Sequence, residues 1–142
     1  MGIHLEYKIN IPVIHQRFND RVNGVHEFIF GVGIIAVDIR KGSPTYGKHV
    51  AVELTEDNHR QFFIPKGFAH GFAVLSETAV FQYKCDNFYH PEADGGISIL
   101  DDTLGIDWKI PTEHANLSEK DTKHAMLKDF DSPFDINIDL YK

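Results

Sequence analysis

From Phe68 to Ala73 large and small side chains alternate without a break: Phe68, His70 and Phe72 against Ala69, Gly71 and Ala73. Successive strand residues point to opposite faces, so this segment reads as a strand with one bulky face and one nearly bare face. Pro65 and Gly67 set a turn just before it, because proline fixes φ and glycine adopts a conformation that a β-carbon resists. The bare face leaves room for something to lie against it. His70 is either a core histidine satisfied by a backbone partner or a group turned toward a ligand. Similar short β-rich runs fill the chain from about Val25 onward. Ile34–Ile39 ends at the turn Lys41-Gly42-Ser43-Pro44, and His49–Leu54 ends at the polar cluster 55–58. Gln61–Ile64, Phe68–Leu75 and Thr78–Lys84 follow, each bounded by Gly, Pro, Ser or Asp. Strands at this spacing, with no long helical period between them, predict an antiparallel sandwich or barrel. Ser118–Leu127 is the best helix candidate, with Ser118 placed to cap it. The acidic, aromatic tail 129–142 reads as a surface strand or an extended arm.

With 142 residues the chain has room for one domain, 1–142, with a real core. A hydrophobic fraction of 42% is too apolar for disorder. No apolar run approaches a membrane span, and the first residues lack the apolar stretch of a signal peptide. The single cysteine, Cys85, cannot form an internal disulfide, which fits a reducing compartment. These features point to a soluble, cytoplasmic chain. A net charge of −7 argues against a nucleic-acid partner, yet leaves room for a nucleotide-sugar, whose diphosphate needs only a few local cations.

Several blocks occur in one order: Asp38-Ile39-Arg40-Lys41-Gly42-Ser43-Pro44-Thr45-Tyr46-Gly47, the Pro65–Phe72 run, Val80-Phe81-Gln82-Tyr83-Lys84-Cys85, Asn87-Phe88-Tyr89-His90-Pro91-Glu92, Gly105-Ile106-Asp107-Trp108 and Leu117-Ser118-Glu119-Lys120-Asp121. Over roughly residues 34 to 127 this succession resembles the dTDP-4-dehydrorhamnose 3,5-epimerases. The resemblance implies a mainly β, cupin-type jelly roll (a double-stranded β-helix) that forms a homodimer with exchanged N-terminal strands. It implies 3,5-epimerisation of dTDP-4-keto-6-deoxyglucose without a redox cofactor. The C4 ketone acidifies both neighbouring C–H bonds, so a base, an opposed acid and a donor to the enolate oxygen suffice. By the same resemblance Tyr83 matches the acid, Tyr89 the ring that stacks on thymine, and Asp121 the carboxylate orienting a histidine base. His70 and Lys120 match substrate contacts, and Asp94 stands where a glutamate commonly binds substrate.

The family's Arg-Gly-Leu-His block and the lysine-bearing strand after it have no clear counterpart, since no lysine lies between Lys8 and Lys41. In one register Ile11-Pro12, Asp20-Arg21, Gly24 and Glu27-Phe28 follow the family's beginning. Arg21 and Glu27 then match nucleotide-sugar contacts, and several dozen residues, the base among them, are missing between about Phe30 and Gly33. In the other, Gly2-Ile3-His4 is the histidine block and His4 is the base; His15 is a weaker candidate. The first register predicts a sugar-binding cupin with impaired catalysis. Pro65-x-Gly67-x-x-His70 also resembles one of the two cupin metal motifs, but the His-x-His motif that would complete a ligand set is absent, so no metal is expected.

Overall fold

The computed structural model describes residues 31–76, 79, 83, 90–112 and 115–142, together with the backbone of a strand at Asn10–Ile14. Four strands, β1 (Asn10–Ile14), β2 (Val32–Asp38), β3 (His49–Leu54) and β4 (Phe68–Val74), form one sheet in the order β1-β4-β2-β3. β2 pairs antiparallel with both β3 and β4, and β1 runs parallel to β4. In this register His70 lies between Ala36 of β2 and Asn10 of β1.

β2 is buried on both faces, as its unbroken apolar sequence requires, whereas β3 at the sheet's end alternates between half-buried and exposed. The bare face of β4 is filled by protein. Ala69 and Ala73, together with Ile35 and Val37 of β2, pack against Ile97, Ile99, Leu104 and Trp108 from the irregular chain that follows. The small side chains thus admit a layer of the protein's own core, and the bulkier face with Phe68, His70 and Phe72 is half-buried.

Two expectations change. Gln61–Ile64 forms no strand: Phe63 is 79% exposed, and this β-prone run lacks a neighbouring strand among the described residues. Ser118–Leu127 is two short 3₁₀ turns, Asp121–Lys123 and Leu127–Asp129, with His124 in extended conformation between them. The local helix is broken because Ala125 pairs with Ile97 and its carbonyl accepts a hydrogen bond from the Ser98 amide at 2.8 Å. Tertiary pairing overrides a modest helical preference. The short helical element expected near the C-terminus is therefore of the tighter 3₁₀ kind, and most of Thr78–Lys84 lies outside the described residues.

The tail is no free arm. Lys41 donates its amide to Phe134 at 2.8 Å, Ile136 donates to Lys41 at 3.0 Å, and Phe134 enters the core. Tyr141 accepts the Lys66 amide at 3.1 Å, and its ring lies under the Lys66 ammonium. Thus the tail braces both the end of β2 and the turn leading into β4.

That turn depends on Gly67, whose φ is +83°. A β-carbon there would stand 2.6 Å from Cγ and 2.8 Å from Cδ of Arg40. Gly67→Ala is expected to cost about 1–2 kcal/mol from the left-handed backbone alone, and more as Arg40 is pushed from its place over the Phe68 ring. A denaturant midpoint equal to that of the parent would contradict this.

Candidate active site

Two irregular segments, 90–104 and 118–129, are laced together beside the core. Ile97 pairs with Ala125, and Asp101 reaches across to accept the Leu127 amide at 2.6 Å through Oδ2. The other oxygen of Asp101 accepts the Thr103 amide at 3.0 Å and the Thr103 hydroxyl at 2.5 Å. Burial raises the Asp101 pKa, but these donors outweigh it and hold the carboxyl below its usual range.

On this frame Asp94, Lys120 and Asp121 come together. Asp94 follows the 3₁₀ turn at Pro91–Ala93 and pairs with the Lys120 ammonium. Asp121 opens the next 3₁₀ turn and is 6% exposed. Its amide donates to Ser118 Oγ at 3.3 Å, and the Ser118 hydroxyl donates back to Asp121 Oδ2 at 2.5 Å. Ser118 thus braces Asp121, while the residue at the N-cap position of this turn is Lys120, which makes no side-chain capping bond. The other carboxylate oxygen, Oδ1, is buried and has no hydrogen-bond partner. A buried carboxylate oxygen left bare is costly, which makes it a place where a donor is wanted.

Facing that oxygen is His124. Its Nδ1 lies 3.9 Å from Asp121 Oδ1, and it too is buried without a hydrogen bond. Burial lowers the His124 pKa, opposed by the charges of Asp121 and Asp94 and aided by that of Lys120. The only signal in the sequence was a histidine three positions after an aspartate, a spacing common to many surfaces.

His70 projects from β4 on the half-buried face shared with Phe68 and Phe72. Tyr83 is 67% exposed, whereas a phenol acting as acid needs a covered setting; substrate would have to supply the cover. His4, His15, Arg21, Glu27 and Tyr89 lie outside the described residues. Among the described residues no three His, Cys, Asp or Glu side chains are grouped as a metal site would require, and no helix is long and apolar enough to cross a membrane.

The model of the dTDP-4-dehydrorhamnose 3,5-epimerases matches residues 29–129. The chain belongs to that family. This family match includes His70, Tyr83, Tyr89, Asp94, Lys120 and Asp121, and begins after His4, Arg21 and Glu27. The epimerase of Escherichia coli K12 is 51% identical over 102 residues, which are 72% of this chain and 53% of that protein. The epimerase of Methanothermobacter thermautotrophicus is 47% identical over 96 residues, 67% of this chain and 52% of the relative. A crystal structure of the dTDP-6-deoxy-D-glucose-3,5-epimerase of Legionella pneumophila Philadelphia 1, in complex with dTDP-4-keto-L-rhamnose, superposes with a TM-score of 0.68. That match has 51% identity and covers 73% of this chain and 55% of the other. The mainly β, jelly-roll class of the epimerase family is thus the fold class of this chain. The chain spans about half the length of the curated epimerases it matches.

Proposed function

We propose that this chain acts on a dTDP-4-keto-6-deoxy sugar, inverting C3 and C5 by proton removal and return next to the C4 ketone. One observation carries the reading: a buried carboxylate, Asp121, has one oxygen held by Ser118 and the other bare, as an orienter of an imidazole base must have. The base takes a proton from carbon, the C–H electron pair passes into the enolate, and negative charge rests on the C4 oxygen. An acid then returns a proton to the opposite face and the ketone re-forms. Asp121 would fix the tautomer of the base and support the imidazolium that forms. Tyr83 would return the proton, while His70, Asp94 and Lys120 would contact the sugar nucleotide, with Arg21 and Glu27 adding contacts from the N-terminal segment. In the alternative, second N-terminal register His4 is the base, and Arg21 and Glu27 then lose that match.

The test is deuterium wash-in at C3 and C5 of dTDP-4-keto-6-deoxyglucose. Incorporation at both carbons is expected. Binding of the nucleotide-sugar without any incorporation favours the second reading, a sugar-binding member of the family with impaired catalysis, for which the unmatched histidine block speaks.

Tyr89 is proposed to stack on thymine, a contact worth about 1–3 kcal/mol for a base on an aromatic ring. Tyr89→Ala should weaken dTDP binding by about one to two orders of magnitude. Unchanged affinity in calorimetry would remove that role.

The homodimer is likewise a proposal. β3 ends the described sheet with its outer edge open and Val50 exposed, and such an edge calls for cover. Sedimentation at micromolar concentration should give a two-fold dimer, and a single monomeric species would contradict it. A cytoplasmic site of action follows from the same reading, since sugar nucleotides are made and used there.

A further inference from the structure

Asp121 and His124 are two buried titratable groups whose facing atoms both lack a partner, a combination that polar interiors rarely tolerate. They are 3.9 Å apart, so a small rotation of either side chain closes a hydrogen bond. The orientation of the ring is informative. Nδ1 faces the carboxylate and is buried; Nε2 makes no hydrogen bond and is not among the buried unpartnered atoms, so it meets solvent. His124 is 13% exposed at its side chain. Ser118 holds the far oxygen of the carboxylate, leaving Oδ1 for the ring.

We propose that Asp121 and His124 form a carboxylate–imidazole dyad in which Nδ1–H is donated to Asp121 Oδ1 and Nε2 is a proton acceptor. This rests on the epimerase reading and gives the described residues a base of their own, beside or in place of His4. In the reaction Nε2 gains the proton from C3 or C5, the C–H pair becomes the enolate, and the imidazolium shares its charge with Asp121. The charged groups around the ring are Asp121, Asp94 and Lys120. The first two favour the imidazolium and Lys120 opposes it. Burial lowers the affinity of His124 for a proton, so the ring is neutral and able to accept one at neutral pH.

The deciding measurement is imidazole ¹⁵N spectroscopy of the parent and of Asp121→Asn, needing neither substrate nor turnover. The dyad requires that neutral His124 carry its proton on Nδ1 in the parent, and that Asp121→Asn shift it toward the Nε2–H form usual in water. An Nε2–H ring in the parent, unchanged by Asp121→Asn, overturns the dyad. In the wash-in assay His124→Gln should slow exchange by about 10²–10⁴ with dTDP affinity retained. Full exchange by His124→Gln overturns the role of the base while leaving the epimerase reading intact. A parent that binds no dTDP-sugar defeats that reading instead, and the tautomer still decides the dyad.

Discussion

Asp121→Asn is expected to lower the rate of deuterium exchange at C3 and C5 by about 10²–10⁴, with little change in the binding of the nucleotide-sugar. Asparagine keeps the size of the side chain and can still meet Ser118. Its amide cannot balance an imidazolium, and when it presents its NH₂ group it selects the wrong tautomer of the partner ring. Because Asp121 is buried behind its neighbours, the loss should fall on turnover and not on affinity. An equal fall in both would mean that Asp121 acts by holding the loop. Ser118→Ala provides a second reading of the same geometry: it removes one hydrogen bond to Asp121 Oδ2 and should cost less than the charge itself.

The largest effect on stability is expected at Asp38, at the end of β2. Its carboxylate is 1% exposed and accepts from the Arg40 guanidinium at 2.9 and 2.7 Å, from the Ser43 and Thr45 hydroxyls at 2.6 Å each, and from the Arg40 amide at 3.0 Å. Asp38→Ala leaves two hydroxyls and an amide without their acceptor and deprives a partly buried guanidinium of its counter-charge. A cost of about 3 kcal/mol is expected, read as a lower urea midpoint. The pH dependence has a definite sign. Burial raises the Asp38 pKa, but Arg40, Ser43 and Thr45 together hold it far below the ordinary carboxylate range. A carboxyl with a depressed folded-state pKa contributes in full above its unfolded value, near 3.9, and loses that contribution as pH falls toward the folded value. The parent should therefore weaken on acidification below about pH 5, and Asp38→Asn should show a shallower slope there. Parallel slopes would contradict the assignment.

β3 was legible to the residue, since His49–Leu54 alternates and stops at a polar cluster. β2 and β4 were legible to within two residues, from apolar continuity and from the alternation after Gly67. The 61–64 run misled because β-propensity describes a surface that fits a sheet, and no strand stands beside it among the described residues. The 118–127 helix misled because its competitor, Ile97, is distant in sequence. Within the site, Asp94, Lys120 and Asp121 could be named from their blocks, and the structure places them in one cluster. His124 could not be named: nothing local distinguishes it, and only the burial of its Nδ1 against Asp121 does so. Ser132 was equally hidden. It donates to the Ile39 carbonyl and accepts the Phe134 amide at 3.2 Å, fastening the tail to the core.

The lacing between residues 90–104 and 118–129 has a further consequence. Neither segment contains a long regular element, so neither holds its shape alone; each is fixed by the other, through Ile97–Ala125, Asp101–Leu127 and Asp94–Lys120, and by the core that Ile97, Ile99 and Leu104 share with the sheet. Such mutual dependence makes the two segments a single cooperative opening unit. When one detaches, the amides of Ser98 and Leu127 exchange with solvent together, and Asp94, Lys120, Asp121 and His124 lose their arrangement in the same event. Because Ile97, Ile99 and Leu104 also cover the bare face of β4, that opening exposes the core side of the sheet as well, and the site is tied to the stability of the core beneath it.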